Sequence, residues 1–206
     1  MEGIKSFAVG HLTLGYIIGR LTAHATKTKM NFPLILVLSV IPDIDLLIPF
    51  IEHRGPLHSA ILYTMVFTPL LLRYRRKAFP YFTALIQHPL IGDYFTGGVQ
   101  IFWPITTQIY GLKASIHSPA NIIMELIFFF IALAIIVRTG DIKTMFQPHK
   151  SNMILAIPTF TVLLPTFLAF PTDVPAILVP PHILFLTIFL VSSIMGMKSA
   201  VPLITD

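Results

Sequence analysis

Long apolar runs recur along the chain at about 7–23, 32–51, 57–73, 78–97, 120–137, 152–170 and 175–197, separated by short polar and basic connections. A helix needs roughly 20 mostly apolar residues to cross a bilayer. The pattern therefore predicts an all-α, polytopic transmembrane helix bundle of about six to seven spans. The clearest run is IIMELIFFFIALAIIV, from Ile122 to Val137, and the weakest is the fourth, which Gln87, His88, Pro89, Gly92 and Asp93 interrupt. The outer part of that fourth span is expected to be broken or re-entrant, as backbone can be where protein or a wet cavity surrounds it. Residues 98–118, with Gly98 and Pro104 as breakers, read as a long structured loop that places Trp103 and Tyr110 at the interface.

Composition agrees with the pattern. The 206 residues are 55% hydrophobic and only 11% charged, with a mean hydropathy of +0.81, values that belong to an integral membrane protein. Seventeen prolines, many inside the apolar runs, imply kinked helices. With no cysteine, disulfides, thiolate zinc sites and thiol catalysis are excluded. The first run precedes Ala23-His24-Ala25, a small-x-small string, but Arg20 lies ahead of it and the amino-terminal charge is weak, so it reads as a span and not as a signal peptide. No internal repeat or low-complexity linker divides the chain. It reads as one membrane domain over 1–206, with chemistry in 1–130 and additional, chemically bland spans in 131–206.

The net charge of +5 forms no stripe interleaved with aromatics, so no nucleic-acid partner is indicated. Its basic residues set topology. Lys27 and Lys29, then Arg73, Arg75, Arg76 and Lys77, then Arg138, Lys143 and Lys150, then Lys198 fall in alternate loops. By the positive-inside rule these loops are cytoplasmic, the amino terminus is outside and the carboxyl terminus inside. Lys5, Arg54 and Lys113 fall on the opposite side.

On that map the intramembrane polar residues His11, Asp43, Asp45, His53, Arg54, His58, His88, Asp93 and Glu125 converge on the outer leaflet. Such residues are costly in hydrocarbon and mark functional sites. In IPDID, Pro42 disfavours regular helix, and an extended segment would point Asp43 and Asp45 the same way. The alternative for this string is an Asx-type turn or cap. In HRGPLHS, Gly55 and Pro56 make a turn that brings His53 and His58 together, a donor pair suited to zinc and related metals. Arg54 between them suits a bidentate contact with a substrate phosphate or carboxylate.

His11 shares a helix face with Gly15 and Gly19, and alone would read as a satisfied bundle histidine. His88 and Asp93 are five apart and diverge by roughly 140° on a regular helix. Pro89, which removes a backbone donor, can induce a bulge that resets the register. Ser118 reads as an N-cap and Pro119 as the first residue of the fifth helix, which puts Asn121 and Glu125 on one face. Glu125 reads as a ligand or general base, and His117 as a further candidate. His24, His149 and His182 read as structural.

The order His11, PDID, HRG-x2-HS, the string from His88 through Asp93-x2-Thr96-x-Gly98, and FWP resembles the LexA-regulated, inner-membrane-associated family of membrane-bound metal-dependent hydrolases, itself distantly similar to zinc-dependent phospholipase C and single-strand nucleases. The resemblance covers about residues 8–130. It implies a helical metal site acting on a phosphoester, with His11, Asp43, Asp45, His53, His58 and Asp93 matching directly. At His88 the chain departs, because the family has His-x3-Asp where Pro89 stands here. The expectation is thus a hydrolase of the prokaryotic plasma (inner) membrane, its divalent metal, Zn2+ first, held by those residues and His88. Glu125 and Arg54 are its catalytic residues, and a lipid or other phosphoester arriving from the bilayer is its substrate. A cation or proton transporter and a degenerate membrane scaffold are the alternatives; the first needs polar residues continuing to the inner side, and the second predicts no metal.

Overall fold

A computed structural model describes residues 7–168 and 174–200. Lys5, residues 169 and 170 of the sixth expected span, and the carboxyl terminus beyond 200 lie outside the described residues. Those described are helical apart from their connections, with one isolated antiparallel bridge, Val99 to Tyr110, inside the long loop.

The first helix, α1 (Ala8–Ala25), is the element around which the others gather. Its small residues explain why. A Cβ on Gly15 would meet the Ser39 side chain, and one on Gly19 would lie 3.0 Å from Ile35 and 3.2 Å from the Pro80 carbonyl oxygen. Glycine at both positions lets α2 (Phe32–Val40) and α4 (Phe79–Gln87) approach closely, the contact on which helix packing in a bilayer depends. The Asn31 side chain caps α2 by accepting the Leu34 N–H at 3.0 Å. Nine residues later α2 passes into a 3₁₀ segment, Ile41–Leu47, that starts where Pro42 removes a backbone donor.

After the turn at 52–58, Ser59 caps α3 (Ala60–Tyr74) through the Leu62 N–H at 3.1 Å. Helix α4 continues as a π turn, His88–Asp93. The Ser118 hydroxyl accepts the Asn121 N–H at 3.3 Å to start α5 (Pro119–Thr139), and Gly140 at φ 76° ends it. A short α6 (Asp141–Met145), a composite α7 (Lys150–Leu168) with its own π turn at Thr159–Leu163, and α8 (Val179–Ala200) complete the described chain.

Among the described residues, three helices are long and apolar enough to cross a membrane: Pro119–Thr139, Lys150–Leu168 and Ala176–Ser199. That is fewer than the six or seven that hydropathy alone suggests. The runs at 32–51 and 78–97 are composites in which nine-residue helices, roughly 14 Å long, give way to tighter or wider turns at Pro42 and Pro89. One cluster of buried apolar side chains nevertheless joins the two halves: Leu12 and Tyr16 of α1 with Leu36, Phe129, Leu163 and Phe189.

Candidate metal centre

Four segments carry the polar residues to one buried place. His11 lies in the first turn of α1, and Asp43 and Asp45 lie in the 3₁₀ segment. Both aspartates are 2% exposed. The expected extended conformation of IPDID is corrected here: Pro42 occupies the first turn of a 3₁₀ helix, whose start its fixed φ favours. The two carboxylates therefore reach the cluster from different angles, Asp43 toward His88 and Asp45 toward His53 and His58.

The turn at 52–58 owes its shape to Arg54, at φ 63°, and to Gly55, where a Cβ would lie 2.7 Å from the Glu52 carbonyl oxygen. It places the His53 and His58 ring centroids 5.2 Å apart. At the fourth segment the π turn changes the register. With roughly 4.4 residues per turn in place of 3.6, residues five apart diverge by about 50° instead of about 140°. His88 Nε2 consequently lies 3.3 Å from Asp93 Oδ2, within one cluster despite the departure from His-x3-Asp.

The contacts interlock. Asp45 Oδ1 is 2.9 Å from His53 Nδ1, and its Oδ2 is 3.0 Å from His58 Nε2 and accepts the Arg54 N–H at 3.2 Å. Asp43 Oδ1 lies 3.3 Å from His88 Nε2 and 3.9 Å from His58 Nε2. Asp93 Oδ2 is 2.5 Å from His58 Nδ1, while its Oδ1 faces His11 Nε2 at 3.6 Å and Arg54 Nη2 at 3.2 Å. The rings of His11 and His88 stack at 3.7 Å with 14° between planes.

These residues fit a metal. Three overlapping sets, Asp43, Asp45, His53 and His58, then His11, Asp43 and His88, then His58, His88 and Asp93, each offer ligand atoms within 4.8 Å of one another. His88 Nδ1–H donates to the Ser39 carbonyl at 2.7 Å, fixing the tautomer that leaves the Nε2 lone pair facing the carboxylates, an arrangement common among metal-binding histidines. His53 Nε2, Asp43 Oδ1 and His88 Nε2 are buried without a hydrogen-bond partner, a state that buried polar atoms rarely keep. Three carboxylates against the Arg54 guanidinium leave an excess of two negative charges, which a divalent cation or two imidazolium rings would balance. The nitrogen and oxygen donor set suits zinc and harder divalent ions.

Two expected catalytic residues sit apart from the ligand sets. Arg54 Nη2 bonds Thr96 Oγ1 at 3.1 Å as well as Asp93, and its Nη1 donates to the Thr96 carbonyl at 3.3 Å; it also borders a cavity of about 610 Å³ with Glu52, His53 and Lys113. Glu125 accepts from Asn121 Nδ2 at 3.2 Å through Oε1, leaving Oε2 buried without a hydrogen-bond partner. It shares a second cavity, about 80 Å³, with His11 and Gly92. His117 packs edge-on to Phe7 and joins none of the three sets. Buried His182 places Nδ1 2.8 Å from the Leu178 carbonyl oxygen.

Sequence reasoning missed Ser39 and the role of Gly92, and it had Thr96 only as part of the string that carries the family resemblance, without its tie to Arg54. Ser39 acts through its carbonyl, which no side-chain pattern reveals. Gly92 makes room for the His11 ring, which a Cβ there would strike.

The family model described as YdjM inner membrane protein matches residues 7–173, so the chain belongs to that family. No curated protein and no solved structure matches it.

Proposed function

We propose that this member of the YdjM inner membrane protein family is a membrane-bound, metal-dependent phosphoester hydrolase. The observation that carries the reading is the set of four imidazoles and three carboxylates, all buried except half-buried His53, which opens onto the cavity of about 610 Å³. His11, Asp43, Asp45, His53, His58, His88 and Asp93 would hold one or more divalent cations, zinc first. When bound, such a cation supplies a water ionised near neutral pH and a Lewis acid for a phosphoryl oxygen.

The chain's own groups supply the rest. Arg54, fastened to Thr96 and Asp93, holds the Asp93 carboxylate in place and lends positive charge to the cavity wall against an anionic phosphoester. Glu125 lies outside the ligand sets, which favours the general base over the ligand role; its unpartnered Oε2 can accept a proton on the side of the cluster where His11 stands.

The basic loops support an outward-facing amino terminus and cluster and a cytoplasmic carboxyl terminus. With α2 and α4 extended by their 3₁₀ and π segments, six to seven crossings remain the reading for the bilayer. The substrate is a phospholipid or lipid-linked phosphate. Against transport, no described residue from 142 to 200 is a carboxylate, and the buried His182 is bonded within its own helix to the Leu178 carbonyl, so carboxylates do not carry a path on through α7 and α8.

The test is metal analysis of the detergent-purified full chain together with hydrolysis of phospholipids and a model phosphodiester. Bound divalent metal, and turnover that a chelator abolishes and added metal restores, is the expected result. Protein without metal after purification in metal-replete buffer, or turnover indifferent to the chelator, would overturn it.

A further inference from the structure

Away from the His/Asp cluster, near the carboxyl ends of α1 and α5, lies a cavity of about 750 Å³ bordered by Arg20, His24, Lys27 and Arg138. His24 stands roughly 20 Å along α1 from His11, and Arg138 roughly 20 Å along α5 from Glu125. Nothing in the proposed hydrolase uses this end. Arg20 is anchored, its Nε 3.6 Å from Asp141 Oδ2, an oxygen that also accepts the Tyr16 hydroxyl at 2.8 Å. Lys27 and Arg138 have no carboxylate partner among the described residues.

Helix carboxyl ends favour cations, which accounts for one basic side chain at each. The macrodipole does not account for the backbone of Lys27. Its N–H bonds the His24 carbonyl at 3.1 Å and the Thr28 N–H bonds the Ala23 carbonyl at 2.9 Å, a helix-ending geometry that puts Lys27 at φ 53°. Glycine ordinarily fills that left-handed position. A lysine there is strained, and its side chain borders the cavity. Leu21, 60% exposed, and Ile135 supply an apolar wall on the same cavity.

We infer that this cavity binds the phosphate-bearing headgroup of an anionic membrane phospholipid, with Lys27, Arg138 and Arg20 around the phosphate and Leu21 and Ile135 against the first acyl carbons. The apolar wall, and the position at the end of a helix long enough to cross the bilayer, select a lipid over a soluble anion.

Native mass spectrometry of the detergent-purified full chain tests the site with phosphatidylglycerol, phosphatidylcholine and inorganic phosphate as probes. Phosphatidylglycerol should be retained at least tenfold better than phosphatidylcholine, and equimolar inorganic phosphate should not displace it. Lys27→Gly removes the charge and relieves the backbone together. It should keep or raise the melting temperature while lowering phosphatidylglycerol affinity roughly fivefold, and adding Arg138→Gln should bring the loss to about twentyfold. Arg76→Gln with Lys77→Gln, exposed charges outside the cavity, should change retention little. Equal retention of the two lipids, displacement by inorganic phosphate, or an equal loss from the Arg76 and Lys77 pair would each overturn the assignment.

Discussion

Adding one methyl group at Gly92 should separate the ligand geometry from general stability. A Cβ on Gly92 would lie 2.5 Å from His11 Nδ1 and closer still to Cε1, where ordinary contact starts at 3.4 Å. The ring must therefore retreat by about 1 Å, and its stack on His88 moves with it. Overpacking of this kind costs about 1–3 kcal/mol, offset by about 0.5–1 kcal/mol from the better helix propensity of alanine. The net loss should fall between about 0 and 2.5 kcal/mol. Metal ligands tolerate displacements of only about 0.2 Å, so Gly92→Ala should also lower metal affinity about 10–100-fold. The control is Gly140→Ala. There φ is 76° and nothing lies within 4 Å, so the substitution strains the backbone by about 1–2 kcal/mol and leaves the cluster untouched. Thermal unfolding in detergent reports stability, and elemental analysis of the purified variants reports metal. Wild-type metal content in Gly92→Ala, or equal metal loss in Gly140→Ala, would refute the argument.

His58→Ala and Asp45→Ala, which remove one imidazole and one carboxylate that lie 3.0 Å apart in the cluster, should each cut bound metal sharply while the protein stays in the membrane fraction; wild-type metal in both would remove them from the ligand set. Glu125→Gln keeps shape and the hydrogen bond from Asn121 but not the charge. It should lower turnover by about 100-fold or more with metal content unchanged, and metal loss instead would make Glu125 a ligand. Single cysteines placed at 52 and 141 of this cysteine-free chain, probed with an impermeant thiol reagent in intact cells, should label at 52 only; labelling at 141 alone reverses the orientation.

Local signals were the legible ones. Ser118, Pro119, Asn121 and Glu125 could be placed from sequence because a cap and the residues three and seven positions beyond it depend on one helix alone. The HRGPLHS turn was readable for the same reason, since Gly55 and Pro56 settle it within seven residues. The runs at 32–51 and 78–97 were legible as apolar but not as composites, because hydropathy counts apolar residues and does not register where a proline withdraws a donor and the helix tightens or widens. At IPDID that gave 3₁₀ turns in place of the expected extended segment. At His88 the withdrawn donor pointed to a bulge, and the π turn is present, yet Nε2 reaches Asp43 as well as Asp93 only through the packing of two distant segments. The tie of Arg54 to Thr96 could not be read from sequence, because it spans distant parts of the chain.

The interlock of His11, the 3₁₀ segment, the 52–58 turn and the π turn also imposes an order on biogenesis. Asp43 and Asp45 emerge from the ribosome before His58 and well before His88, so during synthesis two carboxylates enter the membrane region with none of the imidazoles that later surround them except His11. Their burial becomes favourable only as His53, His58 and His88 follow, because an isolated carboxylate is costly in hydrocarbon. The first half of the chain should accordingly commit late and all at once, held near the interface until the π turn arrives. A chain ending before His88 would still lack the imidazole that lies 3.3 Å from Asp43.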